Sequence, residues 1–515
     1  MAVLIKNVQI LGSLEKHADS VDVFVSGEKI SAIGNFPGKK ADEVVDGGGA
    51  YLAPGFIDVN TDSDHYLSLF DHPSQEDFLN QGVTTIIGGQ CGSSLAPLLY
   101  GSLESIQKWA DVATVNVDWH TLPEFLSILD RRPLAVNFGT MIGHSTVRRA
   151  VVGEQIRDLT KNELTVFAET LRRALQDGGF GMSTGLGYVH SYGTPYSELK
   201  FLAQIVKEHS GIYSTHLRKG EKELGESIDE TIKLARETGV KTLISHFVPI
   251  KGYEREYRSA LEEIDKLPQD VDFNFDIYPS DTTVLPIYVF LPLWVRSGGR
   301  DVMIANLKDG WLWPKILKDM PEVVPDDFIL ARAPGNEVLV GRSLRELGEI
   351  YGIMDAKAAL LKLMDVVGLN GTIFYRNINA SLIRDAIANK RSIIASNAAS
   401  FPYSGKRLKP ERAVSTFTKY LGMCEKEGIM TLEEAVRKVT WEPARKFELR
   451  GRGVVKEGNY ADLVVFLRRK ETENKNATDE KDVEVKCVVV NGKVVLKDGI
   501  FKKQFPGKAL RHNVQ

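Results

Sequence analysis

The sequence contains few cysteines, no long apolar run and no excess of charge of one sign. Its 515 residues include three cysteines, at positions 91, 424 and 487, and no two of them are spaced as CxxC. Three cysteines cannot all pair, so a disulfide framework is excluded and a reduced, cytoplasmic protein is predicted. The longest strongly apolar stretch, residues 284–295, has 12 residues and two prolines. A bilayer span needs roughly 20 residues, so we expect no membrane partner.

The charge balance and the composition exclude two further classes of protein. Lys and Arg number 65, Asp and Glu number 68, and the net charge is −3. This balance leaves no excess of positive charge, so we expect no nucleic-acid partner. Hydrophobic residues make up 43% of the chain, which is enough for a large core and excludes wholesale disorder. The apolar run at the N-terminus is too short for a signal peptide.

Both ends of the chain are predicted to form short β-strands separated by glycine turns. These strands span residues 3–10, 20–26, 29–33, 51–53, 461–466, 485–490 and 493–495. The dipeptide Asn491-Gly492 is typical of a two-residue hairpin turn. Neither end has enough residues for a core of its own. We therefore expect residues 1–57 and residues 446–515 to combine into one small β-sandwich.

Eight segments in the middle of the chain are predicted to be short, buried strands of the parallel type. They span residues 56–60, 84–88, 135–141, 179–184, 211–217, 241–247, 272–279 and 391–397. Helical patterns separate several of them, and one such helix, residues 227–238, ends at Gly239. The pattern predicts an α/β protein with a (β/α)8, TIM-like barrel over residues 58–445. Residues 284–390 are too long for one connection and are predicted to be an insertion.

Two later features support this division of the chain. Helical patterns at residues 343–351 and 357–366 predict that the insertion has helices of its own. A further helix is predicted to begin at Thr431, because Glu434 completes a capping box with it.

Residues capable of chemistry follow the predicted strands, at the barrel face where active sites gather. They are Asn60, Asp62, Cys91, His144, Ser183, His216, His246, Tyr278 and Asn397. His216 and His246 are 30 residues apart, which is the length of one βα unit, so their side chains can converge. Cys91 lies between glycines that let the backbone bend inward. A thiolate and two imidazoles could bind zinc and leave a fourth position for water. The alternative is an inert buried cysteine and two hydrogen-bonded core histidines.

The ordered set of motifs resembles the amidohydrolase superfamily and, within it, the N-acyl-D-amino-acid deacylases. The blocks that carry the resemblance are PGFIDV (54–59), QGVTT to GGQCG (81–92), MIGHSTVR (141–148), GFGMSTGL (179–186), THLRKG (215–220), ISH (244–246), DIYPSDTTVLP (276–286) and GRGVVKEGNYADLVVF (451–466). The resemblance covers nearly the whole chain. It implies zinc-dependent hydrolysis of the amide of N-acyl-D-amino acids, with Cys91, His216 and His246 as the metal ligands.

The chain departs from the family pattern at two places. The family has His-x-His at the end of the first barrel strand, where this chain has Asn60 and Asp62. The family also has an Asp in a Ser-Asp-Gly context after strand eight, where this chain has Asn397, which cannot act as a general acid or base. We therefore expect one tightly bound zinc rather than two, and an altered acid–base group. Candidates for that group are Asp62, Asp64 and Asp281.

The resemblance also implies a set of substrate-binding residues. Tyr278 with Thr282 or Thr283 stands where the family binds the substrate carboxylate, while Lys251 and Arg218 are either sources of positive charge or ordinary loop cations. The predicted substrate-binding residues are Tyr278, Thr282, Thr283, His144, Lys251 and Arg218.

Three functions are compatible with these motifs. The first is a zinc deacylase acting on a small-molecule N-acyl amino acid. The second is a catalytically impaired metal-binding homologue that binds a ligand or partner. The third, a cyclic-amide hydrolase of the dihydroorotase or hydantoinase type, is disfavoured because no Lys lies at the expected strand end. The sequence does not define the acyl group, the side chain and chirality of the substrate, or the oligomeric state.

Overall fold

The chain alternates strands and helices along most of its length. The computed structural model describes residues 2–18, 20–100, 103–107, 109–110, 112, 115–153, 155–296, 299–402, 407–468 and 483–513. The strands are β1 (Ala2–Ile10), β2 (Val21–Ser26), β3 (Lys29–Gly34), β4 (Glu43–Asp46), β5 (Tyr51–Pro54), β6 (Phe56–Asp58), β7 (Val83–Gly88), β8 (Asn137–Thr140), β9 (Ile142–Gly143), β10 (Gly181–Gly185), β11 (Ile212–His216), β12 (Lys241–Ile244), β13 (Phe273–Ile277), β14 (Thr283–Pro286), β15 (Phe328–Arg332), β16 (Thr372–Tyr375), β17 (Ser392–Ile394), β18 (Leu463–Arg468), β19 (Val483–Val490), β20 (Lys493–Lys497) and β21 (Ile500–Phe501).

The α-helices lie between these strands. They are α1 (Ser68–Asp71), α2 (Glu76–Leu79), α3 (Leu122–Arg131), α4 (His144–Val152), α5 (Lys161–Gln176), α6 (Val189–Tyr192), α7 (Tyr196–Glu208), α8 (Leu224–Thr238), α9 (Glu254–Asp265), α10 (Leu293–Arg296), α11 (Gly299–Lys308), α12 (Trp313–Asp319), α13 (Leu344–Tyr351), α14 (Ala356–Val366), α15 (Ala380–Ala388), α16 (Glu411–Lys426), α17 (Leu432–Val439) and α18 (Trp441–Lys446). No helix of the described residues is long and apolar enough to cross a bilayer.

The eight strands predicted for the middle of the chain are all present, as β6, β7, β8, β10, β11, β12, β13 and β17. They are parallel and lie in two sheets, ordered β6-β7-β8 and β9-β10-β11-β12-β13-β17. Only Met141 separates β8 from β9, so the two sheets meet there. At the other side, Thr61 beyond β6 forms a parallel bridge with Ala398 beyond β17. The first and eighth strands are therefore also neighbours.

The helix boundaries follow the local signals in the sequence. The predicted capping box at Thr431 is present, since its side chain accepts from the N–H of Glu434 and the Glu434 carboxylate accepts from the N–H of Thr431. Helix α8 ends at Gly239, whose φ of 67° is in the left-handed region that glycine adopts easily. The apolar faces of these helices pack on the parallel strands and form the largest core of the protein.

Strands from both ends of the chain share one sheet. In the described residues it has nine strands, with the path β21-β20-β19-β18-β5-β1-β2-β3 and β4 paired to β1. The junction between the two ends is the antiparallel pair of β5 and β18. The predicted hairpin turn is confirmed, because Asn491 and Gly492 have positive φ values of 44° and 76° between β19 and β20. A separate apolar core, which includes Val3, Val23 and Leu463, lies within this region.

The segment predicted as an insertion has its own sheet and its own core. The sheet is antiparallel with the order β14-β16-β15, and helices α10 to α14 accompany it. Its core is distinct from the main one and includes Ile287, Leu330 and Leu360. Both predicted helices of this segment are present, as α13 and α14.

Candidate metal centre and adjoining cavity

Cys91, His216 and His246 converge after three parallel strands, β7, β11 and β12, of which the last two are neighbours. One potential ligand atom from each lies within 4.8 Å of the other two. The Cys91 Sγ is 3.4 Å from His246 Nε2, and His216 Nδ1 is 2.8 Å from the same His246 nitrogen. In the part of the chain that the structure describes, this is the one group of three or more His, Cys or acidic residues arranged to hold a metal ion. The structure thus brings together the three ligands predicted from the sequence.

The local backbone explains how these side chains reach one point. His216 ends β11, and His246 follows the adjacent β12 by two residues, so both lie at the same sheet edge. Cys91 follows β7 in a loop that is tightly packed. A Cβ added at Gly89 would lie 2.2 Å from the Met141 oxygen, and one at Gly92 would lie 2.7 Å from the Gly185 nitrogen. Glycine is required at both positions for the Cys91 loop to fit.

The donor set suits a divalent metal with a preference for sulfur and nitrogen. Burial and the nearby positive charge of Arg412 lower the pKa of His246 to about 4. The imidazole is therefore neutral at pH 7, which is the form that binds metals. The nitrogen and sulfur atoms of the three residues face one another, as ligands of a shared cation do. A thiolate with two imidazoles is a typical zinc set, so these residues fit such an ion.

Asn60, at the first departure from the family pattern, is connected to His246 through Asp276. Its Nδ2 donates to Asp276 Oδ2 at 3.0 Å, and the other oxygen of Asp276 accepts from the backbone N–H of His246 at 2.7 Å. Burial raises the pKa of Asp276 to about 7 in spite of these hydrogen bonds. Asn60 therefore supports the backbone of a candidate metal ligand.

Asp62, at the second position of the same departure, lies on the wall of a cavity. Its Oδ1 is 2.9 Å from His65 Nδ1. Burial alone would raise the pKa of Asp62, but the hydrogen bond from His65 and the charges of His65 and Arg412 outweigh burial, and the net shift is downward. Asp62 is thus held as a carboxylate.

The cavity lies between the strand ends and the insertion. Asp62 and Asn397 line it from the strand ends, and Val284, Ala331 and Phe374 line it from the insertion sheet. The backbone N–H of Asn397, a cavity residue, donates to the Asn60 carbonyl at 2.8 Å, and Asn60 is joined through Asp276 to the backbone of His246. These hydrogen bonds connect the cavity wall to the three-residue cluster.

Arg412 is a cavity residue that sequence reasoning missed. It is the second residue of α16, is 6% exposed, and places its guanidinium 4.8 Å from the ring centroid of Tyr278. Its Nε has no hydrogen-bond partner in the described chain. A buried guanidinium with an unpaired N–H can bind an anion. Nothing in the local sequence distinguishes Arg412, because its neighbours in space are far away along the chain.

Arg407 adds a second positive charge to the same cavity. Its guanidinium lies 4.0 Å from the ring centroid of Phe401 and 4.6 Å from that of Tyr66. Burial lowers the pKa of Arg407, although the group stays charged at neutral pH. The cavity wall therefore carries two arginines and one carboxylate, Asp62.

The remaining predicted substrate residues lie elsewhere. Tyr278 is buried beneath Arg412, whereas Thr282, Thr283, His144, Lys251 and Arg218 are not among the described residues that line the cavity. The Thr282 hydroxyl donates to Asp281, that of Thr283 donates to Asn377, Lys251 donates to the Arg376 carbonyl, His144 contacts Glu198, and Arg218 pairs with Glu230.

Asp64 and Asp281, the other acid–base candidates, also lie outside the cavity lining. Asp64 is buried and accepts from the backbone N–H of Gly89 at 2.6 Å, so it supports the Cys91 loop. Asp281 accepts from the hydroxyl of its neighbour Thr282 at 2.8 Å. Asp62 is the one of the three carboxylates that faces the cavity.

The chain is similar to known proteins over most of its length. Residues 362–495 match the amidohydrolase family. The chain is 29% identical over 498 residues to a D-aminoacylase of Alcaligenes xylosoxydans xylosoxydans, covering 95% of this chain and 93% of that protein. It is also 29% identical over 503 residues to an N-acyl-D-aspartate deacylase of the same organism, covering 95% and 91%.

A solved structure extends this similarity to the fold. A D-aminoacylase studied for the role of its binuclear metal centre superposes with a TM-score of 0.79, at 26% identity and with 99% of each chain covered. The α/β fold and the sequence similarity agree. Residues 362–495 thus match the amidohydrolase family, and the chain is similar over nearly its whole length to the D-aminoacylases.

Proposed function

We propose that this protein is a metal-dependent hydrolase that cleaves the amide of N-acyl-D-amino acids. The observation that carries the proposal is the position of the Cys91, His216 and His246 cluster beside a cavity with a buried arginine, Arg412, and a carboxylate, Asp62. A substrate of this class has an amide to be cleaved and a carboxylate to be bound. The cluster and Arg412 offer one group for each.

We propose zinc as the metal and one ion per chain. Zinc is favoured by the one sulfur and two nitrogen donors. A single ion is favoured because Asn60 occupies one of the two His-x-His positions and its amide is bonded to Asp276. In the related D-aminoacylase one metal activates and a second attenuates. A one-metal site is therefore compatible with activity in this family.

When bound, the metal would supply Lewis acidity to the scissile carbonyl and to water. Arg412, held against Tyr278, binds the substrate carboxylate by charge-assisted hydrogen bonds. Asp62 takes a proton from the attacking water and returns it to the leaving nitrogen. Asn397 cannot share this task, because a carboxamide is too weak both as an acid and as a base near neutral pH. The apolar insertion wall excludes bulk water and so strengthens both charge interactions.

The same proposal extends to the architecture and the location of the protein. The bridge between Thr61 and Ala398 supports closure of the eight parallel strands into a (β/α)8 barrel, with an insertion at residues 284–390. The shared terminal sheet supports a small β-sandwich formed by residues 1–57 and 446–515. A cytoplasmic location is supported by the three cysteines, all of which lie in the described chain and form no disulfide.

The alternative of a catalytically impaired binding homologue is not favoured, because the relatives that cover most of the chain are named as enzymes. Asp62 also supplies a carboxylate in the cavity despite the missing strand-eight Asp.

The test combines metal analysis with an assay. We expect about one zinc per chain after purification, and faster hydrolysis of N-acetyl-D-amino acids than of their L-isomers. Cys91→Ala should lose most of the zinc and the activity. Cys424→Ala, a buried cysteine remote from the cluster, is the matched control and should retain both. Full zinc occupancy in Cys91→Ala, or a metal-free wild type, would contradict the proposal.

A further inference from the structure

His65 lies directly behind Asp62 and is completely buried. Its Nδ1 is 2.9 Å from Asp62 Oδ1, and its Nε2 is 2.9 Å from the Ser93 carbonyl oxygen. Its ring stacks on Trp109 with a centroid distance of 4.2 Å and an interplanar angle of 19°. The two hydrogen bonds therefore hold the imidazole within its own plane, and stacking on Trp109 holds it perpendicular to that plane.

The partners of His65 determine where its protons are. A carbonyl oxygen can only accept, so Nε2 carries a hydrogen and donates it to Ser93. The other ring nitrogen faces a carboxylate. Burial lowers the pKa of His65, but the charges of Asp64 and Asp62 and the hydrogen bonds outweigh it, and the net shift is upward. Because Nε2 faces a carbonyl oxygen and Nδ1 faces a carboxylate oxygen, both ring nitrogens donate, and His65 is a buried imidazolium.

This imidazolium controls the orientation of the Asp62 carboxylate. In the described chain its hydrogen bond is the only one that reaches the Asp62 side chain. Oδ1 is anchored by that bond, and the second oxygen remains available on the cavity side. The Ser93 carbonyl belongs to the loop that carries Cys91. His65 therefore also connects the Asp62 carboxylate to the loop of a candidate metal ligand.

We propose that His65 is a positioning residue that aims the free oxygen of Asp62 at the reacting water. The inference rests on the proposed deacylase function. The O–H bond of water breaks and its proton moves to Asp62 Oδ2, while the water oxygen bonds to the amide carbon. The C–N bond then breaks, and the same proton passes from Asp62 to the leaving nitrogen. His65 keeps both of its protons throughout and takes no part in the transfer.

Two amide variants separate this role from simple packing. In His65→Asn the amide nitrogen is near the position of Nδ1, so the donor to Asp62 is retained and the contact with Ser93 is lost. In His65→Gln the longer side chain places its amide near Nε2, so the donor to Ser93 is retained and the contact with Asp62 is lost. The pair has similar polarity, and each variant keeps one of the two hydrogen bonds.

The kinetic constants of both variants are measured on the zinc-loaded protein with the N-acetyl-D-amino acid that the wild type cleaves fastest. We expect kcat of His65→Gln to fall by about 100-fold, since a positioned acid–base group contributes 10²–10⁴. KM and zinc content should change little. His65→Asn should stay within about ten-fold of the wild type. Equal losses of kcat in the two variants, a larger loss in His65→Asn, or a change confined to KM would overturn the positioning role.

Two further results separate failure of this inference from failure of the proposed function. A wild type that hydrolyses no N-acyl amino acid overturns both. An active wild type whose rate is unchanged by Asp62→Asn overturns the role of His65 and leaves the deacylase intact. Where His65→Gln does not fold, the ¹⁵N shifts of His65 in the wild type at pH 7 decide the matter. Two protonated ring nitrogens support the inference, and a neutral tautomer overturns it.

Discussion

Three residues of the candidate site have left-handed backbone conformations. The φ values are 52° for Cys91, 39° for His246 and 47° for Asn397. Residues other than glycine adopt this region at a cost of roughly 1–2 kcal/mol, and Asn tolerates it better than most. Such conformations cluster at functional sites because the surrounding structure must hold them. At the residue scale, the geometry of the site is therefore maintained by the packing of the loops around it.

The backbone at position 397 accepts an acidic side chain. Asp and Asn are nearly isosteric, and both tolerate a left-handed conformation. Because Asn397 lines the same cavity as Asp62, Asn397→Asp places a second group that can accept a proton there. We expect Asn397→Asp to raise the rate of deacylation by at least roughly ten-fold, a floor below the usual 10²–10⁴ for acid–base catalysis. The rate is measured with saturating N-acetyl-D-amino acid.

The same substitution can be placed on an Asp62→Asn background. Asp62→Asn alone should lower kcat by about 10²-fold or more, and addition of Asn397→Asp should recover at least part of that loss. An Asn397→Asp enzyme that is no faster on either background would show that this position cannot reach the reacting water.

Arg412 lines the cavity, whereas Lys251 was predicted from the sequence to bind substrate. The two cations can be compared directly by substitution. Arg412→Met removes a buried charge that should bind the substrate carboxylate, so KM should rise by roughly 10–100-fold, as expected for a lost charged hydrogen bond. Lys251→Met is the control, because Lys251 donates to the Arg376 carbonyl outside the cavity lining. Steady-state kinetics with one D-substrate measure both. An unchanged KM in Arg412→Met would place the carboxylate elsewhere.

At the scale of single elements, helix α8 has two glycines in different backbone conformations. Gly239 ends the helix with φ 67°, and Gly225 lies within its first turn. A Cβ at Gly225 would meet nothing within 4 Å, and one at Gly239 would only touch Lys207 at 3.7 Å. The two positions therefore differ in backbone conformation rather than in available space.

Substitution by alanine should have opposite effects at these two glycines. Gly239→Ala should lower the free energy of unfolding by roughly 1 kcal/mol, because alanine is strained at positive φ. Gly225→Ala should raise it by roughly 0.5–1 kcal/mol through its higher helix propensity. Urea denaturation at constant zinc concentration measures both changes. A loss of stability of the same size in both variants would contradict this explanation.

The elements were largely predictable from the sequence, and the charged wall of the cavity was not. Buried apolar runs and glycine stops are local signals, so the eight parallel strands and α8 are found close to their predicted positions. The convergence of Cys91, His216 and His246 was predictable because each follows a predicted strand, the two histidines are one βα unit apart, and glycines flank Cys91. Arg412 and His65 were not, because their roles depend on contacts formed only in the fold. Strand β4 lacks a strong apolar pattern and was missed.

At the scale of the whole molecule, the candidate metal ligands connect loops from three separate strands. Cys91, His216 and His246 follow β7, β11 and β12, so a bound ion would cross-link the sheet edge. An ion that binds only the folded state stabilises it by about 4 kcal/mol at 1,000 times its dissociation constant.

Removal of the metal should therefore destabilise the entire fold. We expect a strong chelator to lower the melting temperature of the wild type by several degrees, and added zinc to restore it. Cys91→Ala should melt at the same temperature with and without chelator. Differential scanning calorimetry at a fixed scan rate measures these changes, and a chelator effect of equal size in Cys91→Ala would contradict a role for the cluster.

The pairing of β5 with β18 also affects the order of events during synthesis. Strand β5 ends at Pro54 and its partner β18 begins at Leu463, so about 400 residues must be translated between them. At 5–20 residues per second this takes roughly 20–80 s. During that time β5 lacks its β18 partner on the nascent chain. The terminal sheet is therefore completed last, and protection of its exposed edge during translation depends on factors outside the chain.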